Sequence, residues 1–377
     1  MRTILVTGAT GAIGSVLVRD LLEEQDTNVR LLLRARSAAH LEERVEGLRR
    51  FWNLGPDLVR EPRLRAVAGD VTSPNLGLTE CDRRRLSSEV THLIHSAGEV
   101  RLSKPLDQAR KAAVDSAREI ASFANQCAEN GRFEKLEVLS TVGVAGNLAG
   151  EVPERALHEP RDFRNTYEAA KAEAETVLLS AMAEGLPTTI HRPSMVVGDS
   201  RDGRIIQFQV FYYLCEFLSG RRTGGIVPDT GQIRLDIVPV DYVARAIQAS
   251  SRRREAAGRV FHLCAGPEQA PEIGALAQRI HDFFVENGRR LRRLRPVPTN
   301  VIRHVLPVVR RFVPGRMKRS IDTLPYFLAY LDTPQTFANV RTCEFFEPLG
   351  LSVPPVHQYL NRVLTYYLSH SAEETKP

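Results

Sequence analysis

The sequence holds little of what builds cross-linked or metal-held proteins. Its 377 residues include five cysteines, Cys81, Cys127, Cys215, Cys264 and Cys343, with no CxxC pair and no Cys/His cluster at zinc spacing. A disulfide framework and a metal site are therefore not expected, and a reducing cytoplasmic setting is the default. No run of eighteen apolar residues occurs, which argues against a membrane-spanning helix. The apolar stretch Ile4–Val18 is broken by Gly8, Gly11 and Gly14 and lacks a cationic leader, so it does not read as a secretory signal. Internal repeats are absent. Acidic residues are missing from two windows, 29–40 and 289–319.

What is present is ordinary globular composition, 43% hydrophobic and 25% charged, on a chain long enough for two lobes. The formal net charge of +6 is local. Ten arginines and Lys318 fall between Arg289 and Arg319, and the rest of the chain carries 40 basic against 45 acidic residues.

Short apolar runs at 2–7, 28–33, 63–67, 92–95, 136–140 and 188–191 alternate with helical patterns, notably 38–51, 107–128 and 167–184. Such alternation predicts βαβ units: an α/β fold with a doubly wound parallel Rossmann sheet. After Pro193 the alternation fades, and 203–225 reads as an aromatic-rich helix. Residues 233–265 read as a strand–helix–strand return. The expected division is a dinucleotide-binding domain over 1–195, rejoined by 233–265, and a smaller, mainly helical substrate lobe from 196–232 and 266–377.

Residues 7–14 form TGxxGxxG between the first strand and first helix. The first glycine makes the turn, the second admits a pyrophosphate, and the third packs helix on strand. Gly8, Thr10, Gly11, Ala12, Ile13 and Gly14 are thus candidate cofactor contacts, with helix N-terminal amides holding phosphate. At the end of the second strand an acid would bind ribose hydroxyls, whereas arginine meets a 2′-phosphate. Arg34 and Arg36 stand there without any acid, which points to NADPH, with Arg34 the nearer contact. Asp70 and Val71 follow the third strand, where a carboxylate can accept from the adenine amino group. Ser96, Ala97 and Gly98 follow the fourth and are small enough to let a cofactor pass.

Tyr167 and Lys171 form YxxxK on one helix face, one turn apart. The ammonium is expected to lower the phenol's pKa by stabilising phenolate. Ser140 and Thr141 close the fifth strand, at the edge where open α/β sheets bind ligands. A hydroxyl there can bond a developing oxyanion; Thr141 is the first choice and Ser140 its support.

TGxxGxxG, the strand-five hydroxyls and YxxxK together resemble the extended short-chain dehydrogenase/reductase family. LRARS (33–37), GDVTSPNLGL (69–78), NTYEAAKAEAE (165–175), RPSMVVGDSRDG (192–203) and VPVDYV (238–243) resemble its thioester-reductase and fatty-acyl-reductase branch. The resemblance implies Thr141, Tyr167 and Lys171 as catalytic set and a cofactor also bordered by Arg192, Pro193 and Ser194. It also implies hydride transfer from NADPH to an acyl thioester or aldehyde. Ala113, Ser96 and Ala338 depart from the branch's usual Asn, Asn and Asp. With no adenylation or carrier domain in the sequence, the acyl group is expected on coenzyme A or an acyl carrier protein.

Aromatic residues 208–217 read equally as an acyl channel or as core. The arginine run reads as a docking surface for such an anionic partner, as a peripheral membrane contact through 301–313, or as a solvated face. Nucleic acid is not expected, and a dimer is compatible with the sequence. The competing readings are a hydroxysteroid or alcohol dehydrogenase, a sugar-nucleotide epimerase, and a non-catalytic NADP sensor.

Overall fold

The computed structural model describes residues 1–59, 62–102, 104–312, 328–331 and 334–371. Seven parallel strands form the central sheet: β1 (Arg2–Thr7), β2 (Thr27–Leu33), β3 (Leu64–Ala68), β4 (His92–His95), β5 (Lys135–Leu139), β7 (Thr188–Pro193) and β11 (Val260–Leu263). Their order is β11-β7-β5-β4-β1-β2-β3. The strands are almost wholly buried, which is why they read as continuous apolar runs rather than alternating ones. Winding reverses between β1 and β4, so a crevice opens at their C-terminal ends.

Six short strands make three parallel two-stranded ribbons. β6 (Gly150–Val152) pairs with β13 (Gln335–Phe337), β8 (Met195–Val197) with β10 (Ile237–Pro239), and β9 (Ile226–Asp229) with β12 (Arg295–Pro298). The expected return after residue 233 is thus only half a return. β11 joins the main sheet beside β7, whereas β10 pairs outside it.

Helices α1 (Ala12–Glu23), α2 (Ala38–Trp52), α3 (Glu80–Glu89), α4 (Leu106–Arg110), α5 (Ser116–Glu129), α6 (Thr166–Ala183), α7 (Val210–Leu218) and α8 (Val240–Ser251) cover the sheet and its flank. Ser37 caps α2 by accepting from the His40 amide, and Asn53 ends it in the left-handed region. The helix expected over 107–128 is divided by a π turn at Lys111–Asp115 between α4 and α5. The aromatic helix expected over 203–225 shortens to α7. The segment Thr299–Phe312 is helical straight through Pro307.

Three large apolar clusters result. One packs β1, β2, α1 and α8; a second packs the other face of the sheet against α3, α5 and α6; the third joins α7, the helix Ile273–Glu286 and the last helix, Val356–His370. Among the described residues no helix is long and apolar enough to cross a membrane, and no group of His, Cys, Asp or Glu is arranged to hold a metal.

Candidate active site

Positive φ at Gly8 (76°) turns the chain out of β1. A Cβ there would lie 2.4 Å from the Ala97 nitrogen, and one at Gly14 would lie 2.3 Å from the Gly8 carbonyl oxygen. The turn therefore nests against the end of β4 and lets α1 start close to the sheet. Thr7 fastens the arrangement, its Oγ1 2.9 Å from His95 Nδ1 and accepting from the Ala97 amide. The N-cap, Gly11, offers no side chain and the first turn of α1 holds no acid, so its amides face outward for an anion.

Those amides open on a cavity of about 390 Å³. Its lining includes Gly11, Ala12, Ile13, Ser96, Ala97, Gly98, Ser140, Thr141, Tyr167, Lys171, Pro193 and Ser194. Gly8 and Gly14 shape the turn from behind. The structure places five other expected contacts off the lining: Thr10, Arg34, Arg36, Asp70 and Val71. Arg34 and Arg36 are exposed at the end of β2. Asp70 uses Oδ1 to accept from the amide and hydroxyl of Thr72 (both 2.9 Å). Val71 packs on the core.

Arg192 is reassigned. Its fully buried guanidinium pairs with Glu175 and bonds His262 Nε2 at 3.1 Å, beneath the cavity rather than in it. Ser140 joins this network by donating its hydroxyl to Glu175, which leaves that proton unavailable to a ligand. The helix face hinted at this, because Glu175 sits one further turn beyond Tyr167 and Lys171.

Asn165 caps α6 by accepting from the Glu168 amide at 2.9 Å, which fixes Tyr167 on the first turn. The Tyr167 phenol lines the same cavity as the Thr141 hydroxyl and interacts with it. Burial pushes the phenol up to about 12, the Thr141 hydroxyl opposing and the Glu168 carboxylate reinforcing the rise. This direction is opposite to the expected one. Lys171 does not offset it, since its ammonium donates to the Leu139 carbonyl at 2.7 Å. Burial lowers Lys171 to about 8, with Glu175 pulling the other way. The phenol is thus a held proton at neutral pH.

Several residues around the site were not expected. Arg44 on α2 donates to Thr10 Oγ1 (2.8 Å) and to the Arg34 carbonyl (2.7 Å), joining the glycine turn to the arginines after β2. Tyr330, Gln335 and Phe337 enter from the C-terminal part of the chain. The Tyr330 hydroxyl accepts from Asn165 Nδ2 and its ring lies under the Arg164 guanidinium, 4.9 Å away. None of the aromatics of 208–217 lines the cavity; Phe211, Tyr212 and Phe217 are core, and Gln207, Gln209 and Val210 are the lining residues there. The core reading of that segment holds.

The male sterility protein family matches residues 6–247. Isonitrile lipopeptide synthase of Streptomyces coeruleorubidus is 30% identical over 294 residues; the match takes in 77% of this chain but 19% of that protein's length. The terminal R domain from the myxalamid PKS-NRPS biosynthetic pathway superposes with a TM-score of 0.80 at 27% identity, over 98% of this chain and 91% of that one. A thiolation-reductase di-domain from an archaeal non-ribosomal peptide synthetase shares the fold, with a TM-score of 0.79 at 20% identity over 98% and 76%. With its glycine turn, seven-stranded parallel sheet and matched span, the chain belongs to the male sterility protein family, an NAD(P)-binding branch of the extended short-chain dehydrogenase/reductases.

Proposed function

We propose that the protein is an NADPH-dependent reductase of acyl thioesters carried on a phosphopantetheine arm. The observation that carries it is the Tyr167–Thr141 pair, held across one cavity from the bare amides of α1. The similar terminal R domain and thiolation-reductase di-domain support the thioester as substrate.

The residues fit a dinucleotide. Side chains at Gly8 and Gly14 would fill the space that brings turn and helix together, and the first-turn amides of Ala12 and Ile13 open on the cavity for a pyrophosphate. Arg34, Arg36 and Arg44, with no acid over 29–40, favour a 2′-phosphate. When bound, the reduced nicotinamide supplies a hydride. The chain's residues do the rest. Thr141 and the Tyr167 hydroxyl polarise the thioester carbonyl, and Tyr167 gives its proton to the oxygen as the carbonyl carbon gains hydride. Lys171, with donors beyond its Leu139 bond, holds the phenol side of the site positive while that proton leaves. The hemithioacetal then breaks its C–S bond; thiol departs with the hydroxyl proton and aldehyde remains. A second hydride and proton would give the alcohol.

We assign residues 1–195 and 233–265 to cofactor binding and 196–232 and 266–377 to substrate binding. Support comes from the apolar clusters, two of them on the faces of the central sheet and a separate one centred on α7 and Ile273–Glu286.

The test is NADPH consumption with an acyl thioester, with aldehyde trapped as product. Tyr167→Phe is expected to lower kcat at least about a hundredfold, since it removes the general acid. A loss below threefold would discard the assignment. Arg44→Ala is expected to cut the kcat/KM preference for NADPH over NADH about tenfold, as loss of a charge-assisted phosphate contact should. An unchanged ratio would remove Arg44 from the phosphate site.

A further inference from the structure

Five arginines, Arg289, Arg290, Arg292, Arg293 and Arg295, are exposed within seven positions. Elsewhere most arginines are paired: Arg221 and Arg222 share Glu216, and Arg279 takes Glu286, the last acid before the run. Among the described residues none of the five makes an ion pair or a side-chain hydrogen bond. Of the rest of the run, Arg303, Arg310 and Arg311 lie on the helix Thr299–Phe312, and Arg316, Lys318 and Arg319 lie outside the described residues.

The five sit on a built surface. A Cβ at Gly225 would meet the Arg293 carbonyl oxygen at 2.5 Å, and one at Gly220 would meet Leu294 Cδ2 at 2.8 Å, so the segment lies flat across the loop after α7. The Arg295 amide donates to the Gly225 carbonyl at 2.7 Å, opening the β9–β12 ribbon. Apolar side chains are exposed among the arginines: Ile226, 48% exposed, is the register partner of Arg295, and Val285 is 46% exposed. Exposed apolar side chains beside cations without ion pairs are the complement of an acidic surface with an apolar ridge.

This face is tied to the cavity. Val210 and Ile273 line the cavity, and their helices run from it towards the arginines, rising about 12 Å along α7 and about 20 Å along Ile273–Glu286. A partner seated on the arginines therefore lies about the length of these helices from the cavity's edge, the span its acyl-bearing arm must cross. We propose that Arg289, Arg290, Arg292, Arg293 and Arg295, with Ile226 and Val285, dock an acidic carrier protein that delivers the thioester. This rests on the thioester reading above.

The experiment compares one acyl group on an acidic holo carrier protein and on pantetheine alone, using the full chain. The triple variant Arg289→Glu/Arg292→Glu/Arg293→Glu is expected to raise KM for the carrier thioester at least about tenfold, as charge reversal in a steering patch does, with kcat held. KM for the pantetheine thioester should not move, which also shows that the variant is folded. Raising salt should reproduce the effect on wild type with the carrier substrate only. Equal KM for carrier substrate in wild type and variant overturns the docking face. So does a variant whose sole change is lost co-flotation with phosphatidylglycerol vesicles, which would make the face a membrane contact. Failure of wild type to reduce either thioester sinks the thioester reading instead, and carrier binding followed by fluorescence anisotropy still decides the face.

Discussion

Two buried lysines, Lys171 and Lys135, contrast a site with a scaffold. Burial lowers the pKa of both. Lys135, at the start of β5, has all three donors engaged: the Ser250 carbonyl at 2.7 Å, the Arg253 carbonyl at 2.8 Å and Glu137 at 2.9 Å. Glu137 in turn takes His191 at 2.7 Å. Lys171, at the cavity, has its Leu139 bond and donor capacity to spare. An ammonium with every donor occupied is a fastener. One with donors facing a cavity is available to a ligand.

Exchange of each lysine for methionine breaks the comparison most directly. Lys135→Met leaves Glu137 buried with one partner fewer and is expected to cost about 3–5 kcal/mol of stability, read by denaturant unfolding, as loss of one member of a buried pair does. Its kcat per folded molecule should be unchanged. Lys171→Met should do the reverse, lowering kcat about ten- to a hundredfold as lost electrostatic support at a reacting centre does, with little change in the unfolding midpoint. If both variants lost stability alike and neither lost rate, Lys171 would be another fastener.

A smaller effect sharpens the contrast through pH. With Lys171 lowered to about 8, its ammonium is present below that pH and lost as pH rises through it, whereas Tyr167 at about 12 keeps its proton. The kcat is therefore expected to decline above about pH 8 in wild type and to be flat there in Lys171→Met. A wild-type profile flat to pH 10 would separate Lys171 from the chemistry.

Local order was legible in the sequence. The glycine turn, the helix capped at Asn165 and the strand ends carrying Ser140 and Thr141 each depend on a few adjacent residues, and their spacing states the geometry. The partners of those residues were not. Lys171 is aimed by a carbonyl, and main-chain acceptors leave no mark in sequence. Ser140 and Arg192 meet at Glu175, a three-way contact across β5, β7 and α6. Tyr330 reaches Asn165 because β13 pairs with β6, some 185 positions earlier; three-residue strands are too short to show a period. The direction expected for the Tyr167 pKa failed for the same reason, since burial decided it and burial is a property of the assembled fold.

Phe337 and Gln335 border the cavity on a strand that is fastened twice. β13 zips onto β6, and just beyond it the buried Glu154 carboxylate grips the amides of Arg341 and Thr342 at 2.7 and 3.1 Å. The seven-stranded sheet leans on the same segment: the His262 ring at the end of β11 bonds the Ala338 carbonyl at 2.8 Å and meets Phe337 edge-on. A chain halted just after β13 would lose more than a roof, because Thr342 accepts from the His262 amide of β11 and Phe346 and Val353 belong to the cluster packed on β1 and α1; chamber and nucleotide half are expected to fail together.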